Sequence, residues 1–361
     1  MTYYVLGTMS GSSLDGLDLV HATITLAAGK WQYEILNTKH IVYSDEWEQA
    51  LKNAPQMSGK ELIQLDRSYG KWVAEQINSF IEEHDFTYNL HLIGHHGHTV
   101  FHEPKAGFTY QIGTGAEVAA ITGYPTVTHL RDMNVSLGGE GAPIIPIVDT
   151  LLFAGYQAYL NFGGICNMTI QDGEQWKAKD ITFCNQLLNH FAKALGEDYD
   201  KNGHWAQEGM IHQETLDKIN DLPYFQQKDS DSLSNEQFSE WLQVFEGLDP
   251  KDALATVVEH VAIKIADHLS AHLDPRMEQK VMMTGGGAFN NYLIERLKTV
   301  SEEKGLTIDW FLPDPVLIDY KEALGMAFIA ILRWREENNV LSEYSGAERD
   351  SIGGALWMGK H

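Results

Sequence analysis

Apolar runs along this chain are short and broken by glycine- and serine-rich turns. Residues 3–8 form an apolar run that predicts a buried strand. A small-residue turn over 9–16 follows, and the alternation across 17–25 predicts a second strand. Ala28-Gly29 then turns the chain into a third strand over 31–43. The same grammar returns near mid-chain. Residues 156–161 predict a strand, Phe162-Gly163-Gly164 a turn, 165–170 a strand, Asp172-Gly173 a hairpin, and 175–181 a third strand. Two copies of this order predict an internal repeat, each copy opening its own lobe.

Helical periodicity fills the intervals. Leu62, Leu65, Tyr69, Trp72, Val73, Ile77 and Ile81 mark one face of a long helix over 58–84. Further helices are predicted at 186–195, 253–273, 290–302 and 321–336. A short strand over 281–284 runs into Gly285-Gly286-Gly287. Glu322 would open the last helix, either as an acid favoured by the helix dipole or as a residue of the active site. The polar stretch 222–250 reads as an irregular surface excursion of the second lobe.

Length and charge narrow the classes. A chain of 361 residues with 43% hydrophobic and 21% charged residues predicts two globular domains. The expected division is 1–128, joined by 336–361, as the N-terminal lobe, and 129–335 as the C-terminal lobe. A net charge of −24 argues against nucleic acid and anionic membrane as partners. Cys166 and Cys184 form no disulfide framework or CxxC pair and are expected to be buried packing residues. No secretory leader pattern and no run of about 18 apolar residues is seen, so a cytoplasmic protein is expected.

Three small-residue turns carry the candidate chemistry: Gly11-Ser12-Ser13, Gly163-Gly164 and Gly285-Gly286-Gly287. Each follows an apolar strand, where glycine lets backbone N–H groups approach a phosphate. A tight hairpin accounts equally well for any one of them alone. Together they predict a nucleotide site, with one turn from each lobe on the terminal phosphates and the third at the adenosine end. Asp15 supplies a hard oxygen suited to Mg²⁺. Neither GxxxxGK[ST] nor a GxGxxG in strand–helix context occurs. His95, His96, His98 and His102 form a cluster, in which a continuous strand would put His96 and His98 on one face. Sugar binding, packing and metal ligation all remain open for them.

At this point the motifs resemble those of the anhydro-N-acetylmuramic acid kinases, within the actin/hexokinase/acetate-kinase superfamily. The matching pieces run in order across nearly the whole chain: Gly7-Thr-Met-Ser-Gly-Ser-Ser-Leu-Asp-Gly16, Gly94-His-His-Gly-His-Thr-Val-Phe-His-Glu-Pro104, Gln111-Ile-Gly-Thr-Gly115 and Gly138-Gly-Glu-Gly-Ala-Pro143. Asn161-Phe-Gly-Gly-Ile-Cys-Asn167, Thr284-Gly-Gly-Gly-Ala288, Lys321-Glu-Ala323 and Ser345-Gly-Ala347 complete the set. The likeness is greatest to the branch found in Bacteroidetes-type bacteria.

The resemblance implies an α/β, two-lobed actin/hexokinase-like (ribonuclease H-like) fold with a duplicated mixed β-sheet core. It implies a kinase that uses ATP, Mg²⁺ and water to open 1,6-anhydro-N-acetylmuramic acid and phosphorylate it, in peptidoglycan recycling. Gly11, Ser12, Ser13, Leu14, Asp15, Gly16, Leu17 and Asp18 would then hold ATP phosphates and metal, with Gly163, Gly164, Asn167, Gly285, Gly286 and Gly287 completing the nucleotide site. His96, Gly97, His98, Arg131, Gly138 and Gly139 would shape the sugar pocket. A homodimer is the family expectation.

One motif departs from the family. The usual Asp-Phe-Arg-x-x-Asp-Val-Ala-x-Gly-Gly-Gln-Gly-Ala-Pro here has His129 and Asn134 in place of both aspartates, and Glu140 in place of glutamine. An amide orients water but accepts no proton at neutral pH. Asn134, Asp132, Glu140, Arg131 and Glu322 are the candidate catalytic residues, with Asp132, Glu140 and His129 as substitutes for the lost base. Asp180-Ile-Thr-Phe-Cys-Asn185 lacks the glycines common among relatives, and leaves Asp180 and Asn185 as polar anchors. Three activities are compatible: the anhydro-sugar kinase, a catalytically impaired paralogue that binds nucleotide or sugar, and a kinase for a different amino sugar.

Overall fold

The computed structural model describes residues 1–11, 14–226, 233 and 235–360. Ser12 and Ser13 of the first small-residue turn lie outside the described residues. The strands are β1 (Thr2–Met9), β2 (Gly16–Ala27), β3 (Lys30–Val42), β4 (Leu92–His95), β5 (His98–Glu103), β6 (Phe108–Ile112), β7 (Thr126–Thr128), β8 (Ala158–Phe162), β9 (Ile165–Asp172), β10 (Gln175–Phe183), β11 (Gln279–Thr284), β12 (Ile308–Phe311) and β13 (Ala355–Trp357).

The chain divides into two compact units, Met1–Ala154 with Tyr320–His361, and Gly155–Asp319. In the first, the sheet order is β13-β7-β4-β1-β2-β3. β1, β2 and β3 form an antiparallel meander, and β4 and β7 continue in parallel from β1. In the second, the order is β10-β9-β8-β11-β12. Again the first three strands form a meander, and β11 and β12 run parallel to β8. Meander first, parallel strands outward from its first strand: the mixed sheet is duplicated, as in ribonuclease H-like folds. β5 and β6 form a separate two-stranded sheet.

Each larger sheet packs against an apolar core. In the first unit Leu6, Leu17, Leu19 and Ile93 of the strands pack with Tyr69, Val73, Ile77 and Phe80. The latter four lie on helix Gly59–Glu83, and Tyr69, Val73 and Ile77 among them are on the face the periodicity predicts. Ser58 opens that helix with a reciprocal cap to Glu61. In the second unit, helix Pro250–His272 is buried along most of its length against the second sheet. Among the described residues no helix is long and apolar enough to cross a membrane.

The unit boundaries differ from the expected 128/129 and 335/336. Residues 129–154 and 320–335 belong to the first unit, and the reason is close packing. A Cβ on Gly7 of β1 would meet the Ala323 carbonyl oxygen at 1.8 Å, and one on Gly94 of β4 would meet that of Met326 at 2.2 Å. The helix therefore lies directly on β1 and β4. It also starts earlier than its periodicity suggests, spanning Pro315–Trp334. Asp314 caps it, accepting from the Leu317 N–H at 3.0 Å, and Pro315 suits a first turn. Glu322 thus sits about two turns in, so the helix-start reading of this residue is corrected. Within the polar stretch 222–250, described residues form regular structure where an irregular excursion was expected. The stretch carries helix Asn235–Gln243, whose Trp241 is buried edge-on against Phe183.

Candidate active site

In the first unit, β4 ends at His95 and β5 begins at His98. His96 and Gly97 form the turn between them, so His96 and His98 do not share a strand face as expected. The three histidines have different partners. His95 Nδ1 lies 2.6 Å from Thr8 Oγ1, and His98 Nδ1 lies 2.9 Å from Ser10 Oγ. Ser10 continues through Tyr43 to Tyr69 in a buried hydroxyl chain. Burial pushes His95 and His98 each down to about 4, so both are neutral near pH 7. Among the described residues no group of three or more His, Cys, Asp or Glu side chains is arranged to hold a metal.

His96 acts on a neighbour. Its Nδ1–H donates to the Gly97 carbonyl at 2.9 Å, which leaves Nε2 as an acceptor. Arg131 fills that acceptor with its Nε–H at 2.9 Å, and donates from Nη1 to the Gly141 carbonyl at 2.8 Å. Burial, and then the positive charge of Arg131, hold His96 well below its usual range. Burial also brings Arg131 down to about 10, opposed by Glu322, so the guanidinium stays charged at neutral pH.

Asn134 is fully buried on the short helix Asp132–Ser136. Its Oδ1 accepts from the Gly141 N–H at 2.7 Å, and its Nδ2 donates to Ser345 Oγ at 2.6 Å. The Glu140 N–H donates to the Ser345 carbonyl at 2.8 Å. The Glu140 side chain is exposed, as is Gly138, whereas Gly139 is buried. Asp132 is half-buried, and burial raises its carboxyl while His129 works in the opposite direction. His129 itself takes a positive φ of 56° beside Thr128.

Glu322 has a different setting. Its side chain is open to solvent, yet desolvation by the surrounding protein raises its pKa. Arg131 and then Lys321 lower it, and Asp18 adds to the rise. Asp18, on β2, lies 2.7 Å from His40 Nδ1. Next to Glu322 in sequence, Lys321 is buried and pairs with Asp149 at 2.6 Å. Of the remaining first-turn residues, Gly11 is half-buried and Asp15 exposed, Leu14 has a positive φ of 58°, and the Leu17 side chain belongs to the core.

In the second unit two of the expected turns meet. A Cβ on Gly285 would lie 2.6 Å from Asn161 Oδ1 and 2.7 Å from the Phe162 carbonyl oxygen, at a φ of +83°. Only glycine fits there. Asn185 bridges the pair, with its Nδ2 donating to the Phe162 carbonyl at 2.8 Å. The carbonyls of Gly163 and Gly164 accept from Asn185, Cys184 and Gln186. Asn167 lies on β9 opposite Asp180, whose Oδ2 accepts from the Leu233 N–H at 3.1 Å. Cys166 and Cys184 are free and buried.

Sequence reasoning missed a cavity of about 750 Å³ in this unit, lined by Tyr199, Lys201, His204, Trp205, Tyr292 and Glu295 among others. It adjoins the third turn, because Gly203 packs on Asn290, which follows that turn and caps helix Asn291–Glu303. The aromatic and polar residues over 199–207 were the available signal.

The sequence model described as anhydro-N-acetylmuramic acid kinase matches residues 3–359. A protein of that name from Sulfurimonas denitrificans is 32% identical, over 99% of this chain and 100% of its own. Another from Microcystis aeruginosa is 31% identical, over 98% of this chain and 99% of its own. Among solved structures, a ROK family glucokinase from Streptomyces griseus in complex with glucose and AMPPNP aligns with a TM-score of 0.41 at 11% identity, over 91% of this chain and 99% of that one. Component A of the (R)-2-hydroxyglutaryl-CoA dehydratase of Acidaminococcus fermentans aligns with a TM-score of 0.40 at 15% identity, over 91% and 97%.

Proposed function

The chain belongs to the anhydro-N-acetylmuramic acid kinase family, and on that premise we propose that it converts 1,6-anhydro-N-acetylmuramic acid, ATP and water into N-acetylmuramic acid 6-phosphate and ADP, in the recycling of cell-wall sugar. Water adds to the anomeric carbon as the bond from that carbon to the bridging O6 breaks. O6 attacks the γ-phosphorus, the bond to the β-phosphate oxygen breaks, and ADP leaves. The water's proton passes to a base.

The observation that carries this reading is Glu322. It is the carboxylate in the first unit that is both open to solvent and electrostatically tied to Arg131 and Asp18. Its raised pKa is the usual tuning of a general base toward neutral pH, and such a base contributes about 10²–10⁴-fold. Arg131, held by His96 and Gly141, opposes that rise and so favours the ionised carboxylate. Asp132, half-buried, and Glu140, exposed, are the carboxylates of the departed motif itself.

Nucleotide binding rests on the glycine turns. The second and third turns meet at Asn161, Phe162 and Asn185, and the aromatic-lined cavity beside the third suits a nucleoside. Asp15, exposed after the first turn, would supply a carboxylate to Mg²⁺, which is commonly held by one or two carboxylates together with substrate phosphates and water. When bound, Mg²⁺ neutralises charge developing on the transferred phosphoryl group.

A coupled ADP-release assay with and without the anhydro sugar tests the reading. Release that depends on the sugar is expected. Release with a non-bridged amino sugar alone would reassign the substrate, and nucleotide binding without turnover would favour the impaired paralogue.

A further inference from the structure

We propose that Asn134 is a positioning residue that sets the Gly138–Gly141 loop, so that the asparagine found where the family pattern has aspartate does not mark a lost catalytic base. The inference rests on the kinase reading for its functional meaning, and on buried geometry for its substance.

The orientation of the amide is forced. The Gly141 N–H can only donate, so it takes Oδ1, at 2.7 Å. The amide nitrogen then faces Ser345 Oγ at 2.6 Å. Ser345 has one hydroxyl hydrogen, and this goes to the Leu341 carbonyl at 3.0 Å, leaving Oγ free to accept from the amide. Both ends of Asn134 are therefore engaged within the protein. The side chain is 0% exposed, and a Cβ on Gly139 would stand only 2.4 Å from Oδ1. A base must reach the water it deprotonates, within about 3 Å or through one bridging water. Oδ1 is packed against backbone instead.

The bonds lead from Asn134 to the proposed chemistry. Gly141 gives its N–H to Asn134 and receives Arg131 Nη1–H on its carbonyl at 2.8 Å. Glu140 is held from the other side by the Ser345 carbonyl. Asn134 and Ser345 thus place the loop, and the Gly141 carbonyl of that loop, with His96, holds the guanidinium, whose charge acts on the Glu322 carboxyl. An aspartate could keep the bond to Gly141 and accept the Ser345 hydroxyl after that group rotates. Asparagine and aspartate are then interchangeable for positioning, and alanine is not.

The test compares Asn134→Ala, Asn134→Asp and Ser345→Ala with the wild type. Sugar-dependent ADP release, the pH–rate profile, and hydrogen exchange of the loop amides are measured. Asn134→Ala is expected to raise the sugar KM tenfold or more with little change in the ATP KM, and to speed exchange at Gly141 and Glu140 tenfold or more. Ser345→Ala should show the same pattern more weakly. Asn134→Asp should restore exchange and activity to within about threefold of wild type, with the acidic limb of the pH profile unmoved. A tenfold gain in kcat for Asn134→Asp, or a new acidic limb, would overturn the proposal by revealing a restored base. Unchanged exchange in Asn134→Ala would overturn it as well. If the wild type releases no ADP the kinase reading fails, but the exchange comparison still decides the role of Asn134.

Discussion

His96 Nε2 accepts the Nε–H of Arg131 at 2.9 Å, while the other ring nitrogen donates to the Gly97 carbonyl. The imidazole is thereby fixed in one neutral tautomer, and the arginine is aimed by a group that carries no charge. Replacing His96 with alanine should free the guanidinium. A misplacement of about 1 Å costs on the order of 10²-fold, so kcat/KM for the sugar should fall by 10- to 100-fold while nucleotide affinity is kept. Steady-state kinetics beside nucleotide calorimetry checks this, and equal losses for both ligands would point to general unfolding.

Glu322→Gln should lower kcat by about 10²–10⁴-fold if the side chain takes the proton. The sign of the pH effect follows from the raised carboxyl. The base must be ionised, so activity falls as pH drops through a value above the ordinary glutamate range. Stability runs the other way. A carboxyl raised in the folded state favours folding at low pH, and this contribution is lost as pH climbs from the unfolded pKa through the folded one. Glu322→Gln should therefore melt no lower than wild type at pH 7. A marked loss of melting temperature at that pH would count against the assignment.

The buried pair Lys321–Asp149 provides a double-mutant cycle. Removing one partner of a buried pair leaves an uncompensated charge and costs about 3–5 kcal/mol. Lys321→Met alone should show that loss in denaturant unfolding. The double variant Lys321→Met/Asp149→Leu should recover most of it, since an apolar pair of similar volume is often neutral. Burial raises the Asp149 carboxyl and Lys321 opposes the rise, so Lys321→Met should be less destabilised at low pH, where the acid is neutral.

Gly285→Ala puts a methyl group against Asn161 Oδ1 and the Phe162 carbonyl at a φ only glycine accepts comfortably. Strain of this kind costs about 1–3 kcal/mol, and the two glycine turns would separate. Affinity for MgATP should fall at least tenfold by calorimetry. Gly29→Ala is the control, because its φ is also positive but a Cβ there meets nothing within 4 Å. It should lower stability without lowering nucleotide affinity.

The legible parts of this protein are those encoded by contiguous residues. The meander β1-β2-β3 and its repeat β8-β9-β10 are visible because alternation and turn residues lie side by side. Helix Gly59–Glu83 is visible through its apolar stripe. The start of helix Pro315–Trp334 was less legible, since its first turns are apolar and read as a strand as easily as a helix. The histidine cluster was visible only as a cluster. The turn at Gly97, and Arg131 arriving from 35 residues away, give each ring its separate role.

By itself the sequence determined the family, the repeated strand order and the positions of the glycine turns, because periodicity and turn chemistry act over neighbouring residues. The folded chain alone decided what those residues touch. Asn134 finds Ser345 across 211 residues, and Glu322 shares its field with Asp18 and Arg131. Burial and the choice of hydrogen-bond partner separate a carboxylate poised toward solvent from an amide locked into a loop. Both depend on groups that become neighbours only when the chain folds.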